Sequence, residues 1–139
     1  MKRWIALLSA LPLVAFAAAQ EKIVALGGDV TEIVYALGAQ SSLVARDSTS
    51  TWPQAANALP DVGYLRQLNA EGILSVRPTL VLASAQAQPS LALRQVEQSH
   101  VRVVTVPGSN DLNVIDEKVR AIAEATHRQA QGERLRKTL

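Results

Sequence analysis

Four short apolar runs constrain this chain more than any other feature, because they do not alternate. A strand with one wet face alternates apolar and polar residues, whereas a strand covered on both faces reads as a continuous apolar run. Residues 22–26, 43–45, 79–83 and 101–106 are of the second kind, most clearly Thr79-Leu80-Val81-Leu82-Ala83. The stretches between them carry helix signals. Asp29 is placed to cap a first helix, with Glu32 three residues on in capping-box spacing, Ile33, Val34 and Leu37 on its apolar face, and Gly38 as its stop. Asn69 caps a helix to about Val76, which Pro78 prevents from continuing. Pro89 opens another, with Leu91, Leu93 and Val96 inward. A fourth runs from about Asp111 to His127, and a fifth from Gln129 to Leu139, basic near its end. Strands alternating with helices predict a three-layer α/β lobe around a central parallel sheet, Rossmann-like in its winding.

Residues 1–19 read as a signal peptide. Lys2 and Arg3 form a positive start, Trp4 to Phe16 is nearly all apolar, and Ala15, Ala17, Ala18 and Ala19 offer small residues for cleavage before Gln20. The other reading, a membrane anchor, is disfavoured because the apolar stretch is shorter than the roughly 20 residues needed to span a bilayer. The chain has 14 Lys and Arg against 12 Asp and Glu; Lys2 and Arg3 leave with the leader and no acid does, so the mature chain balances at 12 against 12. A neutral chain without a basic run gives no support for nucleic-acid binding. With no cysteine there is no disulfide, no thiolate metal site, no Cys nucleophile and no acceptor for a lipid anchor. The expected location is therefore the periplasm, in soluble form.

Residues 46–63 have little periodicity and read as a long binding loop with one helical turn around residues 53–57. The Gly27-Gly28 turn has anion-binding geometry, yet it lacks the Lys-Ser/Thr of a phosphate loop and the three-glycine dinucleotide pattern, so it reads as a tight turn packing helix on sheet. His100 and His127 have no partner at metal-ligand spacing, and no serine lies in a nucleophile elbow, so nothing points to an enzyme. Tyr64 follows Gly63 in the loop, with Arg66 two residues on. From spacing alone it is either a surface or half-buried tyrosine or an anionic ligand, since a phenol near pH 10 needs a metal or cation to ionise at neutral pH.

The segment Val62-Gly63-Tyr64-Leu65-Arg66-Gln67-Leu68-Asn69-Ala70-Glu71-Gly72, continuing through Arg77-Pro78 to Ala83, closely resembles the haem-binding periplasmic proteins of ABC importers. So do residues 23–38 and Ala45-Arg46-Asp47-Ser48-Thr49-Ser50-Thr51-Trp52-Pro53. The Glu-bearing helix followed by Arg/Lys-Pro and a Leu-Val strand is shared with siderophore and cobalamin binders, and Gly-Tyr-x-Arg points to haem. The resemblance implies that Tyr64 is the axial ligand of haem b iron, that Arg66 hydrogen-bonds its phenolate, and that Glu71 docks on an arginine of the importer's permease. It implies a monomer that takes haem arriving through an outer-membrane receptor system and passes it to the permease. Residues 20–128 then correspond to the N-terminal lobe of a two-lobed binder and residues 129–139 to the start of the inter-lobe helix, with the second lobe missing. The alternatives are a ferric siderophore or corrinoid as ligand, or a silent fragment that binds a partner lobe or nothing.

Overall fold

A run that must be dry on both faces needs neighbours on both edges as well, and the computed structural model, which describes residues 20–139, shows how these runs obtain them. The leader assigned to residues 1–19 lies outside the described residues. Strands β1 (Ile23–Leu26), β2 (Leu43–Arg46), β3 (Leu80–Ser84) and β4 (Arg102–Val106) form one parallel sheet in the order β2-β1-β3-β4. In register, Val24 lies beside Val81 and Val81 beside Val103, while Ala25 lies beside Leu82. The central strands β1 and β3 are buried at every position. The edge strands are not: β2 alternates buried and half-buried residues, and Arg102 and Thr105 of β4 are exposed.

The two faces of the sheet carry separate cores, as the two-residue period of a strand dictates. Ile23, Ala25, Leu80 and Leu82 face helices α1 (Gly28–Ala36) and α4 (Val114–Ala125), where Val30, Val34, Leu37, Val119 and Ile122 complete the packing. Val24, Leu26, Val81 and Ala83 face α2 (Ala70–Ser75) and α3 (Leu91–Gln98), against Ile73, Leu93 and Val96. Helix α5 (Gln129–Arg136) packs on α4. The three-layer α/β lobe expected from the sequence is the fold observed. Among the described residues no helix is long and apolar enough to cross a membrane.

Three helix starts differ from their sequence reading. Helix α1 begins at Gly28, with Gly27 as its cap residue at φ 119°, so Asp29 lies inside the first turn and caps nothing. Its carboxylate instead binds Lys118 Nζ at 2.6 Å, joining α1 to α4. Helix α3 starts at Leu91 and not at Pro89, because Ser90 Oγ accepts from Leu93 N at 3.1 Å. Helix α4 starts at Val114, since Asp111 is used in a turn in which its Oδ1 accepts from Asn113 N at 3.0 Å. The Asn69 cap is as expected, with Asn69 Oδ1 accepting from Gly72 N at 3.2 Å. The single turn anticipated in the long loop is a 3-10 helix, Gln54–Ala58.

Helices α4 and α5 meet at Gly132, where a Cβ would stand 2.6 Å from Ala123 Cβ. A charged group closes the same contact: Arg136 bonds Asp116 and also Glu133 at 2.6 Å, and Arg120 lies 3.3 Å from Asp116. The hydrogen bond from Arg136 holds the Asp116 carboxyl below its ordinary pKa. The steric limit is the sharper test. Gly132→Ala gains helix propensity but forces two helices apart, and overpacking of this kind costs about 1–3 kcal/mol against a propensity gain of about 1 kcal/mol. A urea melt is expected to show a net loss of stability, where the same change on an exposed helix face gives a gain.

Candidate functional site

In an open parallel sheet, two adjacent strands whose onward connections leave in opposite directions have a crevice at their C-terminal ends. Here those strands are β1, which leads to β2, and β3, which leads to β4. The turn after β1 begins with Gly27, whose Cβ, were there one, would lie 2.8 Å from Ser84 Cβ. The turn's amide is not free for a ligand: Gly27 N donates to Asp47 Oδ1 at 2.9 Å. Asp47, fully buried one residue past β2, also accepts from Ser50 Oγ at 2.6 Å, Thr49 N at 3.1 Å and Thr49 Oγ1 at 2.7 Å. Ser50 Oγ in turn lies 2.7 Å from Thr31 Oγ1 of α1. The anion seated at the glycine turn is therefore the chain's own carboxylate, which agrees with reading that turn as structural.

The loop that Asp47 starts returns along the free edge of β2. Arg46 N donates to Pro60 O at 3.0 Å, Val62 N to Arg46 O at 2.9 Å and Ser48 N to Gly63 O at 2.9 Å, so residues 60–63 add a parallel bridge to β2. The bridge brings Gly63 level with Ser48, beyond the end of the strand. Gly63 turns there at φ 105°, a backbone angle open to glycine and costly for other residues. Tyr64 thus emerges at the ligand end of the sheet, 45% exposed. Gln67 N donates to Tyr64 O at 2.8 Å, closing a turn over residues 64–67. Within it Leu65 is buried in the α2–α3 core, and Tyr64 and Arg66 on either side of it are exposed. Among the described residues, neither the Tyr64 hydroxyl nor the Arg66 guanidinium forms a hydrogen bond, so the structure sets the pair on one turn without joining them. Trp52, on the same loop, is 65% exposed.

Glu71 is exposed in the first turn of α2, where the helix dipole favours a carboxylate. It lines a surface groove of about 390 Å³ between α2 and α3 with Leu68, Leu91 and Gln95. His100 and His127 both follow helix ends with positive φ, and among the described residues no group of three or more His, Cys, Asp or Glu is placed to hold a metal ion. Sequence reasoning passed over two carboxylates that organise the site, Asp47 and Asp61. Their signal was present in the short spacings Asp47-Ser48-Thr49-Ser50 and Asp61-Val62-Gly63, in which an aspartate binds groups two or three residues ahead.

Comparison with known proteins accords with this geometry. Residues 23–138 match the periplasmic binding protein family, and the chain belongs to that family. Its members are substrate-binding components of transport systems and not enzymes. The fold superimposes on the periplasmic haem-binding protein BhuT in complex with two haems, at TM-score 0.80 and 38% identity over 85% of this chain and 46% of that one. It also superimposes on the periplasmic haem-binding protein RhuT from Roseiflexus sp. RS-1, at TM-score 0.76 and 41% identity over 84% of this chain and 44% of that one. A vitamin B12-binding protein of Vibrio vulnificus (strain YJ016) is 35% identical over 59% of this chain and 30% of its own length. The chain thus spans less than half the length of each of these proteins.

Removing the buried carboxylate strands the buried Gly27 N–H, while the Ser50 hydroxyl keeps Gly27 O and Thr31 Oγ1 as partners and exposed Thr49 turns to water. An unsatisfied buried donor costs about 1–3 kcal/mol, so Asp47→Ala is expected to lose about that much. Chemical denaturation followed by circular dichroism measures it, and a loss below about 1 kcal/mol contradicts the assignment.

Proposed function

We propose that this chain is the haem-capturing N-terminal lobe of a periplasmic binding protein serving an ABC haem importer. Tyr64 is the axial ligand of the iron of haem b, which is cargo and not a resident cofactor. The observation that carries the reading is the exposed phenol at the ligand end of the sheet, on a turn anchored by Leu65 below and by the β2 bridge behind. Two haem-binding proteins of the same fold, 38% and 41% identical over most of the chain, support haem. Tyrosinate is an established axial ligand of haem iron, and the ferric centre itself favours the deprotonated phenol. Arg66, exposed on the same turn, is the cation that steadies that anion when ligand is bound. Residues 20–128 act as the lobe and residues 129–139 as the start of the helix leading to a second lobe. Secretion through the cleaved leader, without a lipid anchor, delivers the protein as a monomer to the periplasm, where an outer-membrane haem receptor system supplies it.

Glu71 is the docking contact for the permease. Its exposure in the first turn of α2 suits a salt bridge that registers a partner, a role in which charges govern encounter more than final affinity. The vitamin B12-binding relative favours a second reading in which the same face holds a corrinoid. A corrinoid carries its own cobalt and lower ligand, so under that reading Tyr64 is a wall of the site and leaves no mark on the metal.

Two measurements test these roles. Tyr64→Phe keeps the ring and removes the ligand oxygen; it is expected to lose the phenolate-to-iron charge-transfer band and to bind ferric haem at least about tenfold more weakly, equal to about 1.4 kcal/mol. Tyr35→Phe, within α1 and packed against its core, is the control and keeps the wild-type spectrum. An unchanged ferric spectrum in Tyr64→Phe overturns the haem assignment. Glu71→Arg, placed in a two-lobed counterpart, is expected to leave the haem spectrum intact and slow uptake at limiting haem severalfold; normal uptake removes Glu71 from docking.

A further inference from the structure

A second carboxylate fixes the approach to Tyr64, and it has no part in the binding roles proposed above. Asp61 Oδ1 accepts from Gly63 N at 2.8 Å and from Ser48 Oγ at 3.0 Å, and its Oδ2 lies 3.7 Å from Arg46 Nη1. The backbone bonds that tie residues 60–63 to β2 end at Gly63 O. That bond sets the Gly63–Tyr64 peptide, and the Gly63 dihedrals decide whether its oxygen can face Ser48 while residues 60–62 stay on β2. Nothing lies within 4 Å of a Cβ built on Gly63, so crowding does not hold it at φ 105°. Glycine has more backbone freedom than any other residue and leaves such an angle readily unless a bond selects it. The bond from Gly63 N to Asp61 makes that selection, and Ser48, itself fixed to Gly63 O through its own amide, braces the acceptor.

We infer that Asp61, with Ser48 as its brace, is the positioning residue that aims Tyr64 at the iron of the ligand. The inference rests on the haem reading of Tyr64. A purely structural role accounts poorly for these contacts, because the Asp61 side chain is 42% exposed and both hydrogen bonds lie at the surface. Exposed pairs of this kind add little to stability. Their geometric effect is larger, since a ligand atom displaced by a rotated Gly63 no longer meets the metal along its axis.

The test uses the full chain, secreted and loaded with ferric haem, and compares Asp61→Ala, Asp61→Asn, Ser48→Ala and Tyr64→Phe. Asn retains an oxygen at the acceptor position and loses only the charge. Asp61→Ala is expected to melt within a few degrees of wild type, to bind haem about fivefold more weakly and to show a diminished charge-transfer band, the loss of one hydrogen bond setting the scale. Asp61→Asn is expected to keep affinity and spectrum within about twofold, and Ser48→Ala to fall between. Wild-type spectrum and affinity in Asp61→Ala overturn the inference, as does an Asn variant as defective as Ala, which assigns the effect to charge. Should Asp61→Ala fail to fold, Ser48→Ala carries the same test, and a wild-type spectrum there overturns the bracing role and the inference with it. Tyr64→Phe separates the two levels: an unaltered spectrum there removes the haem reading itself, whereas a defective Tyr64→Phe beside a normal Asp61→Ala removes only the positioning role.

Discussion

The buried carboxylate of Asp47 accepts hydrogen bonds from the Gly27 and Thr49 amides and from the Thr49 and Ser50 hydroxyls, and the ligand end of the sheet is arranged around it. An ionised carboxylate taken out of water costs several kcal/mol unless its lone pairs are filled. Here four donors fill them, drawn from the turn after β1 and the loop after β2. The carboxylate therefore joins two crossover connections, beside the Asp47 N to Ala25 O bond that continues the β1–β2 pairing. With the glycine turn occupied in this way, anion recognition is removed from the place where a doubly wound sheet usually offers it. The proposed site accordingly lies on the loop beyond.

That loop is long and poor in regular structure, yet it is not loosely held. Its start is tied by Asp47, its middle forms the 3-10 turn Gln54–Ala58 over buried Ala56, and its end runs beside β2 before Leu65 enters the core. Each contact removes conformations that a ligand would otherwise have to select. Restricting a binding group before the ligand arrives lowers the entropy cost of capture. A binding protein that must also release its cargo gains from obtaining affinity in this way, because rigidity of the receptor can be undone by a partner that deforms it.

Much of the fold was legible in the sequence, for a physical reason. A short continuous apolar run such as Leu80-Val81-Leu82-Ala83, closely preceded by Pro78, has a length that favours a strand covered on both faces over a buried helix, and Pro78, Gly38 and Asn69 mark boundaries by backbone chemistry that tertiary context rarely overrides. Helix starts were less legible at Asp29, Pro89 and Asp111, because each has the composition of a helix start while a neighbour (Gly27, Ser90 or Asn113) has the capping position. At the site, Tyr64 stood out through its glycine and arginine neighbours, whereas Asp47 and Asp61 did not. An aspartate that organises a polar loop looks like any other polar residue until its distant partners, Gly27 for Asp47 and Ser48 for Asp61, are brought beside it. Long-range pairing is the information a local pattern lacks.

The bridge between residues 60–63 and β2 also bears on how the molecule avoids its own kind. An open parallel sheet has two edges, and an unpaired edge is a template for strands of other chains. Strand β4 protects its side with the exposed Arg102 and Thr105. Strand β2 has Arg46 N and O already engaged by Pro60 and Val62, so the segment that leads to Tyr64 also occupies hydrogen-bonding positions at Arg46 where a foreign strand would add. The same few residues thus cover part of a sheet edge as well as carry the tyrosine of the proposed site, and the space of sequences open to this loop is limited by edge protection as much as by what that site would bind.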